Sequence, residues 1–291
     1  MHLILKSMDS LRRAKKVDLP GSEFDTYGRL LGLRLLAAGV RGGFQYLVNP
    51  VSITRYFEFA FAESFVVRPL SRVLDLSSPR LFAFWLAERR SAQNILMTNP
   101  DRRDIEATAA IAGSLAIRGI DPIPAAVEDL AVAPGSMDLV YSISVIEHIP
   151  GGEDDTHAVE RLWRTVRPGG SLILTVPVDR RFWVEYRRED PYSLQATDTS
   201  GAPVFFQRWY DKEALERRIL APLKDGDVSV RFFGERRPGT FSAYVEEWMK
   251  QGLRATVRDP EIIASHFRSF TDWERMPGSG VVGIHARKAG A

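Results

Sequence analysis

The chain has 291 residues, of which 45% are hydrophobic and 26% charged, with a formal net charge of +2. Such a chain can bury a substantial core as one large α/β domain with additions, and its near-neutral balance supplies no global field for nucleic acid. The absence of cysteine excludes disulfides, thiolate nucleophiles and cysteine metal ligands together, and His2, His148, His157, His266 and His285 show no metal-ligand spacing.

The first twenty residues have a basic flank but neither a long apolar core nor a small-residue cleavage site, so they do not read as a signal peptide. Residues 30–40 are apolar but interrupted by Arg34 and too short to span a bilayer. Arg29, Arg34 and Arg41 lie close by. An amphipathic helix packed on a core is expected there in preference to a membrane-surface helix. No integral membrane segment is expected, and a cytoplasmic location follows by default. Residues 1–70 as a whole read as a helical extension, with an aromatic run from Tyr56 to Ala62 suited to packing over a sheet.

From residue 71 the period changes. Strands are expected at 72–77, 94–98, 120–127, 138–144, 171–176, 228–233 and 281–286. Helices are expected at 79–90, 101–118, 155–166 and 211–220, the last capped by Asp211. Strands alternating with helices predict a mostly parallel seven-stranded sheet with helices on both faces, spanning residues 71–291. Two insertions interrupt it as a cap, at about 179–207 and 238–278, the second with helical patches at 243–249 and 260–270.

The most informative stretch runs from Met137 to Pro177. It reads MDLVYSISVIEHIP, a short polar break, then AVERLWRTVRPGGSLILTVP. That is a buried strand, a turn carrying Glu147 and His148, a helix, a Pro168-Gly169-Gly170 turn and a second buried strand. It resembles the corresponding half of the sheet in class I S-adenosylmethionine-dependent methyltransferases. The resemblance implies a Rossmann-like fold, S-adenosylmethionine as cofactor, and a cleft at the carboxyl ends of the parallel strands.

The resemblance also implies positions for the cofactor. Val73-Leu74-Asp75-Leu76-Ser77-Ser78-Pro79-Arg80-Leu81 is similar to the family's first motif, an acidic strand followed by a G-x-G-x-G loop. Aligned on Asp75, the glycine positions are Ser77, Pro79 and Leu81. Ser78 and Pro79 suit the cap and first position of a helix, whose N-terminus offers amides to a carboxylate. The family's acidic ribose ligand falls at Thr98, with Asn99 next to it, and its adenine-side aspartate falls at Ala126. Glu128 and Asp129 are the acidic substitutes nearby, and equally can be solvated or capping charges. Ser142, Ile143 and Ser144 match the positions that line the methionine arm. His148 is the candidate proton acceptor and Glu147 its partner, or the pair organises the loop.

The acceptor side falls to residues 1–70 and the insertions. Trp183, Tyr186, Tyr192, Phe205, Phe206 and Trp209 can line an apolar pocket, and Arg180, Arg181, Arg187, Arg188 and Arg208 can hold a phosphate or carboxylate. Asp190 belongs to the same charged and aromatic stretch. The expected function is methyl transfer to a small molecule, at oxygen, with no metal and no nucleic acid. The alternative is a non-catalytic methyltransferase-like partner subunit or binding module. Homodimerisation stays open.

Overall fold

The computed structural model describes residues 2–67, 70–188 and 202–290. Asp190 and Tyr192, named above for the cap, lie outside them. Helices α1 (His2–Ala14), α2 (Ser22–Ala37), α3 (Gly43–Val48) and α4 (Arg55–Ser64) precede the first strand. Then follow β1 (Val73–Leu76), α5 (Arg80–Arg89), β2 (Ile95–Thr98), α6 (Arg102–Ser114), β3 (Ile120–Ile123), β4 (Met137–Ile143), α7 (Asp154–Thr165) and β5 (Val166–Val178). The chain continues through β6 (Trp183–Arg187), β7 (Val204–Trp209), α8 (Lys212–Leu215), β8 (Gly226–Glu235), α9 (Thr240–Gln251), α10 (Leu253–Thr256), α11 (Asp259–His266), β9 (Phe267–Phe270) and β10 (Gly280–Lys288).

The main sheet has eight strands in the order β3-β2-β1-β4-β5-β10-β8-β9. The first five pair in parallel, and β8 pairs with β9 antiparallel. This is the Rossmann-like α/β arrangement expected from the alternating pattern, with eight strands in place of seven. The extra strand is β9. Its Phe267 and Phe270 are buried and Arg268 and Ser269 exposed, so residues 267–270 pair with β8 instead of extending the helix predicted over 260–270. Other boundaries move by a few residues. The third strand ends at Ile123, where Pro124 follows. The expected helix over 211–220 splits into α8 and a π-helical turn, Glu216–Leu220. Asp211 does cap it, accepting from the Ala214 amide at 2.9 Å.

The chain forms two compact units. One comprises residues 67–110, 118–230 and 284–291. Its core is the buried run of β4 and β5 with the inward faces of α5 and α7. Phe82 of α5 meets Tyr141 of β4 edge-on at 5.1 Å. Each such fully buried aromatic or aliphatic side chain contributes about 1.5–3 kcal/mol. Pro168-Gly169-Gly170, expected as a turn ahead of the strand, instead lies within β5, where its pairing with β4 shifts register. Gly169 has φ +74°, and a Cβ on Gly170 would come within 2.9 Å of the Met137 and Asp138 carbonyls. Only glycine tolerates both demands.

The other unit comprises residues 1–66, 111–117 and 231–283. The aromatic run of α4 supplies its core, with Phe57 stacked on Phe233 at 4.7 Å and Phe24 against Phe59 at 5.3 Å. Buried polar groups there are paired. Asp25 accepts from Arg29 and from the Tyr56 hydroxyl, while Asp259 accepts from the Ile53 amide (3.2 Å) and from the Tyr244 hydroxyl (2.9 Å). Burial raises the Asp259 carboxyl to about 7.

Candidate active site

The strand order reverses between β1 and β4, which run side by side and feed helices that follow different directions along the sheet. Parallel sheets open a crevice at such a switch point. A cavity of about 450 Å³ lies there, within the usual range for small-molecule sites. Its wall runs through Leu76 and Ser77 after β1, Asn99 and Pro100 after β2, Ala126 to Glu128 after β3, and Ser144 and Val145 after β4. His148, Ile149, Pro150, Asp154, Phe205 and Phe206 close the other side.

Ser77 and Ser144 end β1 and β4 in the same unusual way. Both take the left-handed conformation, with φ 52° and 48°. For a residue with a Cβ this costs about 1–2 kcal/mol, and both serines recover part of it by hydrogen bonding. The Ser77 amide and hydroxyl both donate to the Thr98 carbonyl, at 2.7 and 2.9 Å. The Ser144 amide reaches the Thr175 carbonyl and hydroxyl, both at 3.0 Å. The backbone turn for which the family's loop uses its first glycine is thus made here with a serine.

Asp75 stands behind this loop, not in the cavity. It is fully buried, accepting from the Ser78 amide at 2.9 Å and the Tyr141 hydroxyl at 3.0 Å. Burial raises its carboxyl to about 7, against the lowering effect of those hydrogen bonds. Ser78 does not cap α5, as its sequence position suggested. Pro79 holds the cap position with no side-chain hydrogen bond, and α5 starts at Arg80. The Ser78 hydroxyl instead accepts from the Ile143 amide at 2.9 Å, tying the β1 loop to the end of β4. Thr98 is also interior, donating to the Asp75 carbonyl at 3.1 Å, and Ser142 lies buried 3.4 Å from the Leu76 carbonyl. Of the candidate cofactor residues, the cavity brings together Ser77, Asn99, Glu128 and Ser144. Asp75, Ser78, Thr98, Ser142 and Ile143 form the layer beneath them, and Asp129 is exposed outside the wall. Asn99 is partly committed: its carbonyl oxygen accepts from the Asp101 amide (2.9 Å) and its amide nitrogen donates to Asp104 (3.1 Å).

Glu147 and His148 occupy a single 3₁₀ turn, Ile146–His148. The tight turn sends Ile146 and Glu147 inward and leaves His148 on the cavity. His148 Nδ1 lies 2.8 Å from the Phe206 carbonyl, and its ring meets the Phe206 ring at 4.8 Å. Its Nε2 is 3.9 Å from Glu147 Oε1. Phe206 sits on β7, which pairs antiparallel with β6 as a separate hairpin. Of the aromatics expected to line a pocket, Phe205 and Phe206 do so. Trp183 and Trp209 stack on each other at 5.4 Å as a cross-strand pair, and Tyr186 is exposed.

Arg208 has a different place from the anion-binding one its sequence context suggested. It is buried and donates to the Ile149 and Gly151 carbonyls, with Asp155 at 3.7 Å. Asp155 also accepts from Arg218 (2.9 Å) and from the Tyr210 hydroxyl (2.8 Å). This closed network fixes the loop that carries His148, Ile149 and Pro150. The sequence gives no sign of it, because Arg208, Tyr210 and Arg218 lie more than fifty residues from Asp155 and only folding joins them. Arg187 lies over the Phe206 ring at 3.3 Å, and neither it nor Arg180, Arg181 or Arg188 belongs to the cavity wall. Asp154 was also missed. It enters the wall as the first residue of α7. Among the described residues no group of acidic or histidine side chains could hold a metal ion.

Residues 76–174 match a protein family described as a methyltransferase domain, the segment that carries every strand end of the cavity. Residues 76–174 thus carry a methyltransferase domain. No curated protein matches the sequence. Among solved structures, coclaurine N-methyltransferase bound to N-methylheliamine and S-adenosylhomocysteine is similar over 97% of this chain and 100% of its own, at 12% identity and TM-score 0.54. The [4+2]-cyclase SpnF is similar over 81% of both chains, at 17% identity and TM-score 0.51. The YcgJ protein of Bacillus subtilis is similar over 81% of this chain and 100% of its own, at 14% identity and TM-score 0.50. At such identities the likeness is one of fold. The cavity at the switch point is bordered by the strand ends of the matched segment and has the size of a small-molecule site.

Proposed function

We propose that this methyltransferase domain transfers a methyl group from S-adenosylmethionine to a hydroxyl of a small-molecule acceptor. One observation carries the reading: a single cavity joins the strand ends at Ser77 and Ser144 to a histidine, His148, backed by a carboxylate. The bound cofactor supplies an electrophilic methyl group on a sulfonium. Ser77, Asn99, Glu128 and Ser144 would hold it, with Asp75, Ser78, Thr98, Asp129, Ser142 and Ile143 as the wider set that the family resemblance suggests.

His148 is suited to take the acceptor's proton. With Nδ1–H donating to the Phe206 carbonyl at 2.8 Å, Nε2 is the basic nitrogen. A proton taken there lies 3.9 Å from Oε1 of the buried Glu147 carboxyl that backs the ring. Val145, Ile149, Pro150, Phe205 and Phe206 give the acceptor side an apolar wall that excludes water. The charged residues of the cavity are Glu128 and Asp154, with no arginine or lysine in its wall. Such a lining disfavours phosphates and carboxylates and suits an uncharged, flat acceptor such as a phenol, which can stack on Phe205 and Phe206.

The test is incubation of the protein with S-adenosylmethionine and a panel of phenols, amines, carboxylates and phosphate monoesters, reading S-adenosylhomocysteine release. Turnover confined to the hydroxyl compounds supports the reading. Turnover on amines alone overturns O-methylation, and cofactor binding with no turnover on any compound favours a non-catalytic binding module.

A further inference from the structure

Helix α2 has two apolar faces. Phe24, Leu31 and Leu35 are buried in the unit that contains α2. Leu30, Leu33 and Leu36 point outward, at 46%, 55% and 48% exposure. Their spacing of three puts them on one arc of the helix, and exposed Ala37 extends it. Phe44 of α3 is also exposed and follows Gly43, whose backbone lies against Leu36. The leucines that the sequence assigned to a packed core therefore divide between a core and an open surface. The hairpin beneath is firmly built: Gly32 and Gly43 bring α2 and α3 so close that a Cβ on either would meet the other's backbone. Arg29 donates to Leu47 and Ser7, and Arg34 donates to the Leu115 carbonyl. The face is thus a rigid one and not a frayed end.

Its electrostatics are one-sided. No acidic side chain occurs between Asp25 and Glu58, while Arg34 and Arg41 flank the leucines. Arg41 is exposed. We infer that the Leu30–Leu33–Leu36–Phe44 face of the α2–α3 hairpin lies on an anionic lipid surface, with Arg41 at the headgroup level. Apolar side chains entering the acyl boundary beside basic ones is how peripheral helices bind membranes. Each basic residue near an anionic surface adds to the attraction, and salt screens it. A second copy of this chain is the poorer occupant, because self-pairing of the leucine face sets Arg34 and Arg41 of one copy against those of the other, with Glu23 at the start of α2 as the one exposed carboxylate on the hairpin to offset them.

The inference is tested on the full chain by co-sedimentation with vesicles of phosphatidylcholine and phosphatidylglycerol, with pure phosphatidylcholine vesicles for comparison. Binding to the anionic vesicles only, weakened by salt, is expected. Leu33→Glu and Arg41→Glu should each weaken it about tenfold or more, since each reverses a favourable term of roughly that size. Both positions are solvent-facing, and an unchanged circular dichroism spectrum checks that the variants fold. Phe44→Trp should show a blue-shifted emission on addition of anionic vesicles. No binding beyond that on neutral vesicles overturns the inference. So does a dimer in solution that Leu33→Glu dissociates, which would assign the face to a second copy.

Discussion

His148 is held by Phe206: its Nδ1 lies 2.8 Å from the Phe206 carbonyl, fifty-eight residues away on the β6–β7 hairpin. The bond orients the ring and sets which nitrogen is basic. His148→Ala is expected to lower kcat by about 10²–10⁴-fold, the usual worth of a general base, with affinity for S-adenosylmethionine unchanged. Single-turnover assays with calorimetric binding controls check this. Unchanged turnover removes His148 as the base and leaves it a loop-organising residue.

Ser77 takes φ 52° where the family's loop has a glycine. Ser77→Gly should be close to neutral for stability, within about 1 kcal/mol, since relief of the backbone offsets loss of the 2.9 Å bond to Thr98. Ser77→Val should cost about 1–3 kcal/mol, because a β-branched residue resists the left-handed region. Urea denaturation of the two variants distinguishes them, and equal stabilities would contradict the strained-turn account.

Asp75 and Asp259 set a pH dependence. Burial raises each folded-state carboxyl to about 7 from an ordinary value of 3.8. The folded chain then holds more protons than the unfolded chain between those values, so stability falls as pH rises from about 4 to about 7 and levels off above. Thermal melts across pH 5 to 8 should show Tm falling over that interval, and Asp75→Asn should flatten part of the slope. A Tm that rises steadily toward pH 8 would contradict it.

Asp155 is buried with Arg208, Arg218 and Tyr210 around it. Asp155→Ala leaves two buried guanidinium groups without their carboxylate and should cost about 3–5 kcal/mol. Because Arg208 also holds the Ile149 and Gly151 carbonyls, the loop bearing His148 should loosen with it. Denaturant unfolding measures the first effect, and faster amide exchange at residues 149–152 measures the second.

The parallel half of the sheet was legible because most of its strands are apolar and separated by periodic helices, although Pro168-Gly169-Gly170 reads as a turn and lies within β5. Residues 267–270 were not, since FRSF satisfies a helical pattern as well as a strand until β8 offers its edge. Within the site, Ser77, Ser144 and His148 could be located by counting along each strand to its end. Asp75, Thr98 and Ser142 could not be separated from them, because register alone does not say whether a side chain faces the cavity or the layer below. Arg208 read as an anion ligand because a sequence shows its charge but not the carbonyls of Ile149 and Gly151 that it meets.

A cleft without the glycine loop is proposed here to take S-adenosylmethionine. Isothermal titration of the purified protein with S-adenosylmethionine and with S-adenosylhomocysteine tests it most directly. The account predicts heats that fit one site with a micromolar Kd for both, weakened in Ser77→Val. No heat with either compound, from protein whose circular dichroism shows it folded, would contradict it.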